Sequence, residues 1–239
     1  MSGCSTGTRI YVNHREAQRD RILACARDLF TDRGIQGVTL SDIAVAAHLT
    51  RGTLYKYFTN KEDLAQAIFQ ATTRGWVERG ERGVWSIPGT GFERVERFVV
   101  SHAGAMFRDP REARFVAEFN ALYAREWPVE RMAPILAETL GSQRLQLYES
   151  VRQGQTEGSL RDDIVPEALV AAIFNFVSGM MDRLGAMGPK IEGEYGIAAQ
   201  TVCEQINRVF LDGLTRCDSA GNHRADSTQP GASSGRDLQ

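Results

Sequence analysis

The sequence has only four cysteines, and none lies close to another. Cys4, Cys25, Cys203 and Cys217 form no Cys-x-x-Cys pair, and no pair of histidines accompanies them. Structural zinc sites and disulfide frameworks are recognised by such spacings. The sequence therefore predicts four reduced thiols and no metal site.

Long apolar runs are also missing. No window approaches the roughly 18 consecutive apolar residues that a membrane-spanning helix needs, and residues 1–9 contain no apolar signal-peptide core. The mean hydropathy of −0.30 and the hydrophobic content of 42% are ordinary for globular proteins with a buried core. We therefore expect a cytoplasmic protein without a membrane partner.

The common enzyme motifs are absent. Neither Gly-x-Gly-x-x-Gly, nor a phosphate-binding Gly-rich loop, nor His-Glu-x-x-His occurs, and no glutamate lies three residues before a histidine. Residues 231–235 match Gly-x-Ser-x-Gly. A nucleophile elbow requires a strand before its serine, and no strand is predicted before Ser233. The sequence predicts neither catalysis nor a cofactor.

Charge is nearly balanced overall but unevenly distributed. The net charge is −2, yet residues 1–63 carry nine basic against seven acidic side chains. Three of the basic residues, Arg51, Lys56 and Lys61, cluster in a short polar stretch. Such a cluster is either a solvated surface or the electrostatic footprint of a nucleic-acid partner.

The first part of the chain is predicted to form an arm followed by helices. Residues 1–13 are aperiodic and predict a flexible arm, whereas apolar residues at spacings of three and four predict a helix over residues 15–33, which Gly34 ends. Thr39 then begins a short helix that runs to Ala46. After a turn at residues 47–49, Thr50 caps a second short helix.

The rest of the chain also reads as helical. Thr59 or Asn60 caps the next helix, and breaks fall at Pro88, Pro110, Pro128, Gly158 and Gly188-Pro189. Between the breaks lie amphipathic runs over residues 92–107, 111–127, 131–157, 166–187 and 195–214. Residues 215–239 have too little apolar surface to fold and predict a disordered tail. No strand pattern or internal repeat interrupts this all-α organisation.

Residues 21–64 contain a dense set of characteristic residues in one register. These residues are Ile22-Leu23, Leu29-Phe30, Gly34, Thr39, Asp42-Ile43-Ala44, Gly52-Thr53-Leu54-Tyr55, Tyr57-Phe58, Lys61-Glu62 and Leu64. The segment resembles the N-terminal DNA-binding domain of the TetR family of bacterial transcriptional regulators. The resemblance implies an all-α protein of about nine helices. A three-helix helix-turn-helix domain over 14–63 would precede a larger ligand-binding and dimerisation domain over 64–214.

A helix-turn-helix protein presents the N-terminal residues of its second helix to the major groove. Arg51 can bond both acceptors of a guanine, and Thr53 can reach a thymine methyl or a phosphate. Lys61, at a helix N-terminus, is suited to a phosphate. The predicted DNA-binding residues are Thr39, Thr50, Arg51, Gly52, Thr53, Tyr55, Lys56 and Lys61. The family usually has glycine where this chain has His48, which predicts a strained backbone if the turn requires a positive φ.

The resemblance also implies an effector pocket and a dimer interface in the second domain. The aromatic residues there are either pocket lining or ordinary core. The predicted ligand contacts are Phe107, Phe115, Phe119, Tyr123, Trp127 and Phe174. Polar anchors could come from Arg114, Glu118, Asn120 and Tyr123. The predicted dimer residues, on the last two helices, are Ala172, Phe176, Met180, Ile206 and Phe210.

The sequence therefore predicts a ligand-responsive regulator. In this hypothesis a homodimer binds a palindromic operator on double-stranded DNA, represses transcription, and is released by a small, largely apolar effector. A TetR-like activator is the main alternative. A helical small-molecule-binding or adaptor protein without DNA binding is a second one, although such a protein would be expected to lose Arg51, Tyr55 or Lys61, all of which are present.

Overall fold

The computed structural model describes residues 6–124 and 129–215, and these ranges contain nine helices and no strand. The all-α prediction is confirmed. The helices are α1 (Thr6–Arg33), α2 (Leu40–Ala46), α3 (Arg51–Tyr55), α4 (Lys61–Val84), α5 (Gly91–Arg108), α6 (Pro110–Tyr123), α7 (Val129–Glu157), α8 (Pro166–Tyr195) and α9 (Ala199–Asp212).

The N-terminal helix is longer than its apolar pattern predicts. α1 begins at Thr6 rather than near Arg15, so residues 6–13 of the predicted arm are helical. Once a helix is anchored, each further residue adds one hydrogen bond without a new nucleation step, so α1 extends beyond its apolar stripe. Residues 1–5 of the predicted arm and residues 216–239 of the predicted tail lie outside the described residues.

Helices α1 to α3 pack together around a shared set of buried side chains. Ile22 and Phe30 on α1, Ile43 on α2 and Leu54 on α3 are almost completely buried. Side-chain caps fix the starts of the two short helices, because Thr39 Oγ1 accepts from Asp42 N and Thr50 Oγ1 accepts from Thr53 N. The predicted starts of α2 and α3 are confirmed.

The larger bundle is built mainly from two helix pairs, α5 with α7 and α6 with α8. The first pair crosses at close range, since a Cβ atom on Gly91 would overlap the backbone of Ser150 and Gly154. The core continues without interruption into the N-terminal unit. Phe30 of α1 stacks on Phe115 of α6 with ring centroids 6.2 Å apart.

Helix α8 does not break at Gly188-Pro189, and the prediction of a break there is wrong. The helix continues to Tyr195 and ends at Gly196, which has φ 65° and donates its N–H to Glu192 O. Proline removes one helical hydrogen bond, but tertiary packing can retain the helix around it. Ile191, 3% exposed, supplies that packing by joining the hydrophobic core.

Residues 166–188 of α8 are long and apolar enough to cross a membrane by length and composition alone, and 33% of its most apolar 18-residue stretch is buried. Inside this segment, Asp182 accepts a hydrogen bond from Asn120 of α6, as in the core helix of a globular bundle. The exposed part of α8 therefore presents an unusually apolar face to the surroundings of the subunit.

Candidate functional site

The turn between α2 and α3 contains a residue in the left-handed region. His48 has φ 55° and is the one non-glycine residue with positive φ among those described. Its N–H donates to Val45 O at 3.0 Å, and the next N–H, of Leu49, donates to Ala44 O at 2.8 Å. A left-handed residue other than glycine costs roughly 1 kcal/mol. The predicted strain at His48 is therefore present.

Helix α3 is anchored on one side and open on the other. Leu54 is fully buried, whereas Arg51, Gly52, Tyr55 and Lys56 are exposed. The Thr50 and Thr53 hydroxyl oxygens lie 2.9 Å apart, so the cap also holds the Thr53 side chain in place. The outer face of α3 thus collects five of the predicted DNA-binding residues beside Thr50.

Gly52 has no packing role inside the subunit. A Cβ atom built on it would meet no atom closer than Thr50 Oγ1, at 4.0 Å. Glycine within a helix is disfavoured by about 1 kcal/mol relative to alanine. Packing inside the subunit therefore does not require glycine at position 52. Any requirement for glycine comes from what meets the exposed side of α3.

Two further predicted residues flank α3. Thr39 is exposed, but its N–H and its hydroxyl both donate to Asp42 Oδ2, at 2.8 and 2.6 Å, and these bonds hold the pKa of Asp42 below its usual value. A phosphate would have to compete for these donors. Lys61 is the first residue of α4, where Asn60 Oδ1 accepts from Asp63 N at 2.7 Å.

A cavity of about 290 Å³ lies within the larger bundle, between helices α4 to α8. This volume is near the lower end of the range for small-molecule sites. Aromatic, aliphatic and polar side chains share its wall. The aromatic residues are Phe69, Trp76, Phe98 and Phe174, and the polar residues are Thr73, His102, Asn120, Gln143, Arg144, Asn175, Ser178 and Asp182.

Four of the polar lining residues form two pairs. His102 Nδ1 lies 2.8 Å from Phe98 O, and its Nε2 lies 3.2 Å from Gln143 Oε1. Asn120 Nδ2 donates to Asp182 Oδ1 at 2.8 Å. Burial lowers the pKa of His102 and raises that of Asp182. No group of three His, Cys, Asp or Glu side chains in the described ranges could hold a metal ion.

Of the four predicted ligand contacts whose side chains the structure describes, one lines the cavity. Phe174 lines it, whereas Phe115 and Phe119 are 1% exposed core residues and Phe107 packs at the edge of the core. Phe119 stacks on Phe69 with centroids 4.3 Å apart, so it lies behind a lining residue. The side chain of Tyr123 and all of Trp127 lie outside the described residues.

Of the predicted polar anchors, Asn120 lines the cavity, Arg114 is exposed, and Glu118 has a different role. Glu118 Oε1 accepts from the backbone N–H of Ile35 at 2.7 Å, just beyond the end of α1. Helix α6 therefore carries both a cavity residue and a contact to the N-terminal unit. The sequence does not identify His102, Gln143 and Asp182 as cavity residues, because isolated polar residues in an amphipathic run carry no sequence signal.

A second link between the cavity and α1 passes through Glu112. Trp76, a lining residue, donates from Nε1 to Glu112 Oε2 at 3.1 Å. The same carboxylate lies 3.9 Å from Arg27 on α1 and 3.7 Å from Arg79 on α4. Three helices therefore meet at one acidic side chain.

The predicted dimer residues are divided between the surface and the interior. Ala172 and Ile206 are exposed, and Phe176 stacks on Phe210 within the subunit at a centroid distance of 3.6 Å. Met180 is 7% exposed and faces Cys203, whose Sγ lies 3.8 Å from the Met180 sulfur. Met180 is therefore a core residue of the α8–α9 contact rather than a surface residue.

Comparison with known sequences finds similar bacterial transcriptional regulators. A model of the family described as bacterial regulatory proteins, tetR family, matches residues 22–68. The transcriptional repressor KstR2 of Mycolicibacterium smegmatis is 35% identical over 214 residues, covering 84% of this chain and 92% of the relative. The probable transcriptional regulator ArpR of Pseudomonas putida is 30% identical over 175 residues, covering 70% and 81% of the two chains.

Solved structures give the same result for the fold. A TetR/AcrR-family regulator from Thermobifida fusca superposes with a TM-score of 0.62 at 24% identity, over 84% of this chain and all of that one. A TetR-family regulator from a Rhodococcus species superposes with a TM-score of 0.64 at 19% identity, over 83% and 98% of the two chains.

Proposed function

The chain belongs to the TetR family of bacterial regulatory proteins and is a transcriptional regulator rather than an enzyme, and from this premise we propose that it is a cytoplasmic repressor. In this proposal a homodimer binds an approximately palindromic operator and is released by a small, largely apolar effector. Residues 14–63 form the DNA-binding domain, and residues 64–214 bind the effector and the second subunit. Repression is favoured because the similar M. smegmatis protein is named a repressor.

The observation that carries this proposal is the exposed outer face of α3. Arg51 stands free at the start of the helix, with a planar donor group that matches the two major-groove acceptors of guanine. Thr53 is held beside it by the Thr50 cap. We assign sequence recognition to Arg51 and Thr53, with Lys56 reaching either a base or a phosphate.

The remaining residues of the interface position the domain on the phosphate backbone. Lys61 combines an ammonium group with the free N–H groups at the start of α4, and Tyr55, 47% exposed, can donate its hydroxyl. Thr39 and Thr50 contribute from the starts of α2 and α3. Gly52 allows the α3 backbone to approach the DNA, which accounts for a glycine that packing inside the subunit does not require.

We assign dimerisation to the exposed apolar face of α8 and α9. Ile206 and Val209 on α9 are 37% and 73% exposed, and Ala172 lies exposed on α8. Phe176 and Phe210, stacked and half-buried, lie on the same pair of helices. Exposed apolar side chains grouped on one pair of helices are expected to be covered by a partner. A two-fold dimer would present two copies of α3 to successive major grooves.

Effector binding would act on DNA binding through α4 and α6. Helix α4 runs from Lys61 at the DNA interface to Trp76 at the cavity, and α6 joins Asn120 at the cavity to the Glu118–Ile35 contact. An effector that favours one arrangement of these helices shifts the spacing of the two α3 helices. Linkage then requires operator and effector to weaken each other's binding by the same factor.

The proposal is tested first by selection of DNA. The purified chain is incubated with a pool of random duplexes, bound fragments are sequenced, and fluorescence anisotropy measures affinity for the selected site and a scrambled one. We expect an approximate palindrome bound by two subunits, with the mass of the free and bound protein measured by light scattering. A protein that ignores every duplex at low ionic strength would overturn the proposal.

Repression and activation are separated by a reporter gene placed behind the selected operator. A repressor lowers reporter expression when the chain is present, and an activator raises it. Compounds that restore expression are then added to the anisotropy assay. The effector mechanism fails if a saturating compound that binds the cavity leaves operator affinity unchanged.

A further inference from the structure

The cavity contains a buried amide with an unpaired polar atom. Gln143 lines the cavity and is 1% exposed, and its Nε2 atom has no hydrogen-bond partner. Native proteins leave few buried polar atoms without a partner, and those exceptions call for an explanation. A bound molecule that supplies the missing partner at this point of the wall is one such explanation.

The neighbouring histidine determines which end of the amide is unpaired. Phe98 O is a carbonyl and only accepts, so His102 Nδ1, 2.8 Å away, carries the hydrogen. Burial lowers the pKa of His102, so its other nitrogen, Nε2, is an unprotonated acceptor. Gln143 must therefore donate to it. Because the oxygen and nitrogen of an amide are assigned from their hydrogen bonds, the Gln143 oxygen takes the unpaired position.

A second acceptor lies on α8. Asp182 lines the same cavity, and its one hydrogen-bond donor among the described residues is Asn120. No basic side chain of those residues forms an ion pair with it. Arg183, its neighbour, lies 3.7 Å from Glu194, and Arg144 stacks on Phe174 with its guanidinium 5.4 Å from the ring centroid. Arg144 also lines the cavity but is held over the Phe174 ring, so the Asp182 carboxylate has no cationic partner among the described lining residues.

We propose, on the premise that this cavity is the effector site of the proposed function, that it binds an apolar molecule carrying a protonated amine. The ammonium group pairs with the Asp182 carboxylate, and Gln143 Oε1 offers a second acceptor. The aromatic rings of Trp76, Phe98 and Phe174 suit both the apolar body and a nearby cation. A carboxylic acid at the same point would place a second negative charge beside Asp182, and the lining cation, Arg144, is already held over the Phe174 ring.

The test uses three probes that share one apolar body and differ only in the end group: 4-phenylbutylamine, 4-phenylbutan-1-ol and 4-phenylbutanoate. Their binding to the full chain is measured by calorimetry without DNA. We expect the amine to bind roughly tenfold more tightly than the alcohol, as a charged hydrogen bond exceeds a neutral one by about this factor. We expect the acid to bind most weakly.

Three variants test which residues cause the preference for the amine. Asp182→Asn keeps an oxygen for Asn120 but removes the charge, so the amine should lose its advantage over the alcohol. Gln143→Leu should weaken the amine and the alcohol more than the acid. Asp212→Asn removes an exposed carboxylate on α9 outside the cavity and should leave the ranking unchanged.

The inference is overturned if the acid binds most tightly, if Asp182→Asn leaves the ranking unchanged, or if none of the probes binds up to its solubility limit. Operator binding is measured on the same preparations. Intact operator binding with the wrong ranking overturns only the amine, whereas loss of all duplex binding in the unmodified chain overturns the proposed function.

Discussion

The backbone N–H of Ile35 donates to the carboxylate of Glu118 at 2.7 Å, which ties the end of α1 to α6. Gly34, immediately before Ile35, has φ 75° and ends α1. Because Ile35 is fully buried, removal of the carboxylate leaves its N–H without the acceptor that it has in the structure. Glu118 is therefore one of the side chains that hold the end of α1 against α6.

We expect Glu118→Ala to lower the free energy of unfolding by about 1–3 kcal/mol, the cost of a buried donor left without its acceptor. Urea unfolding followed by circular dichroism measures the loss. Glu118→Gln, which keeps an acceptor oxygen, should lose distinctly less. Equal losses in the two variants would mean that the Ile35 hydrogen bond is not what stabilises the junction.

Replacement of Arg51 should affect sequence recognition. We expect Arg51→Ala to weaken binding to the selected operator by about 1–3 kcal/mol and to relax the preference at one base position, because a bidentate contact to a single base is lost. Anisotropy on the operator and on single-base variants measures both effects. Equal losses on operator and scrambled duplex would contradict a base-reading role.

Replacement of Lys61 should act differently, since a phosphate contact carries no sequence information. We expect Lys61→Ala to weaken all duplexes similarly and to reduce the slope of log affinity against log salt by about one unit. Glu62→Gln, which alters charge at the next residue of α4 without removing a cation, is the matched control. A loss confined to the operator would argue that Lys61 contacts a base.

The parts of the fold that depend on local chemistry could be predicted from the sequence. Thr39, Thr50 and Asn60 cap the helices that follow them, and a cap needs only the side chain and the first turn. The continuation of α8 past Pro189 could not be predicted, because it depends on the burial of Ile191 against other helices.

The cavity could be predicted only as a region rich in aromatic residues. Phe115 and Phe119 lie four residues apart on one face of α6, which packs on Phe30 and Phe69. Val116 and Asn120, one position further along, share the face that lines the cavity. A shift of one residue turns a helix by about 100°, and the sequence alone does not state which face meets which neighbour.

The turn at His48 offers a test of stored strain. We expect His48→Gly to raise the free energy of unfolding by up to about 1 kcal/mol, because glycine adopts φ 55° without steric conflict, partly offset by its greater freedom in the unfolded chain. Ala46→Gly, two residues earlier in α2, should instead be destabilising. A loss of stability in His48→Gly comparable to that of Ala46→Gly would show that the turn carries no relievable strain.

Part of the decrease in the free energy of unfolding at low pH should come from His102. Burial holds the pKa of His102 below its ordinary value of 6.5, so as the pH falls below about 6.5 the unfolded chain takes up a proton before the folded protein does. This favours unfolding, and the stability contributed by neutral His102 is complete above pH 6.5 and lost between 6.5 and the lower pKa of the folded state.

We expect His102→Gln to reduce the fall in unfolding free energy across this window, measured by urea denaturation at successive pH values. An unchanged pH dependence in His102→Gln would show that this histidine is not held neutral by its surroundings, and the assignment of the Gln143 amide would fail with it.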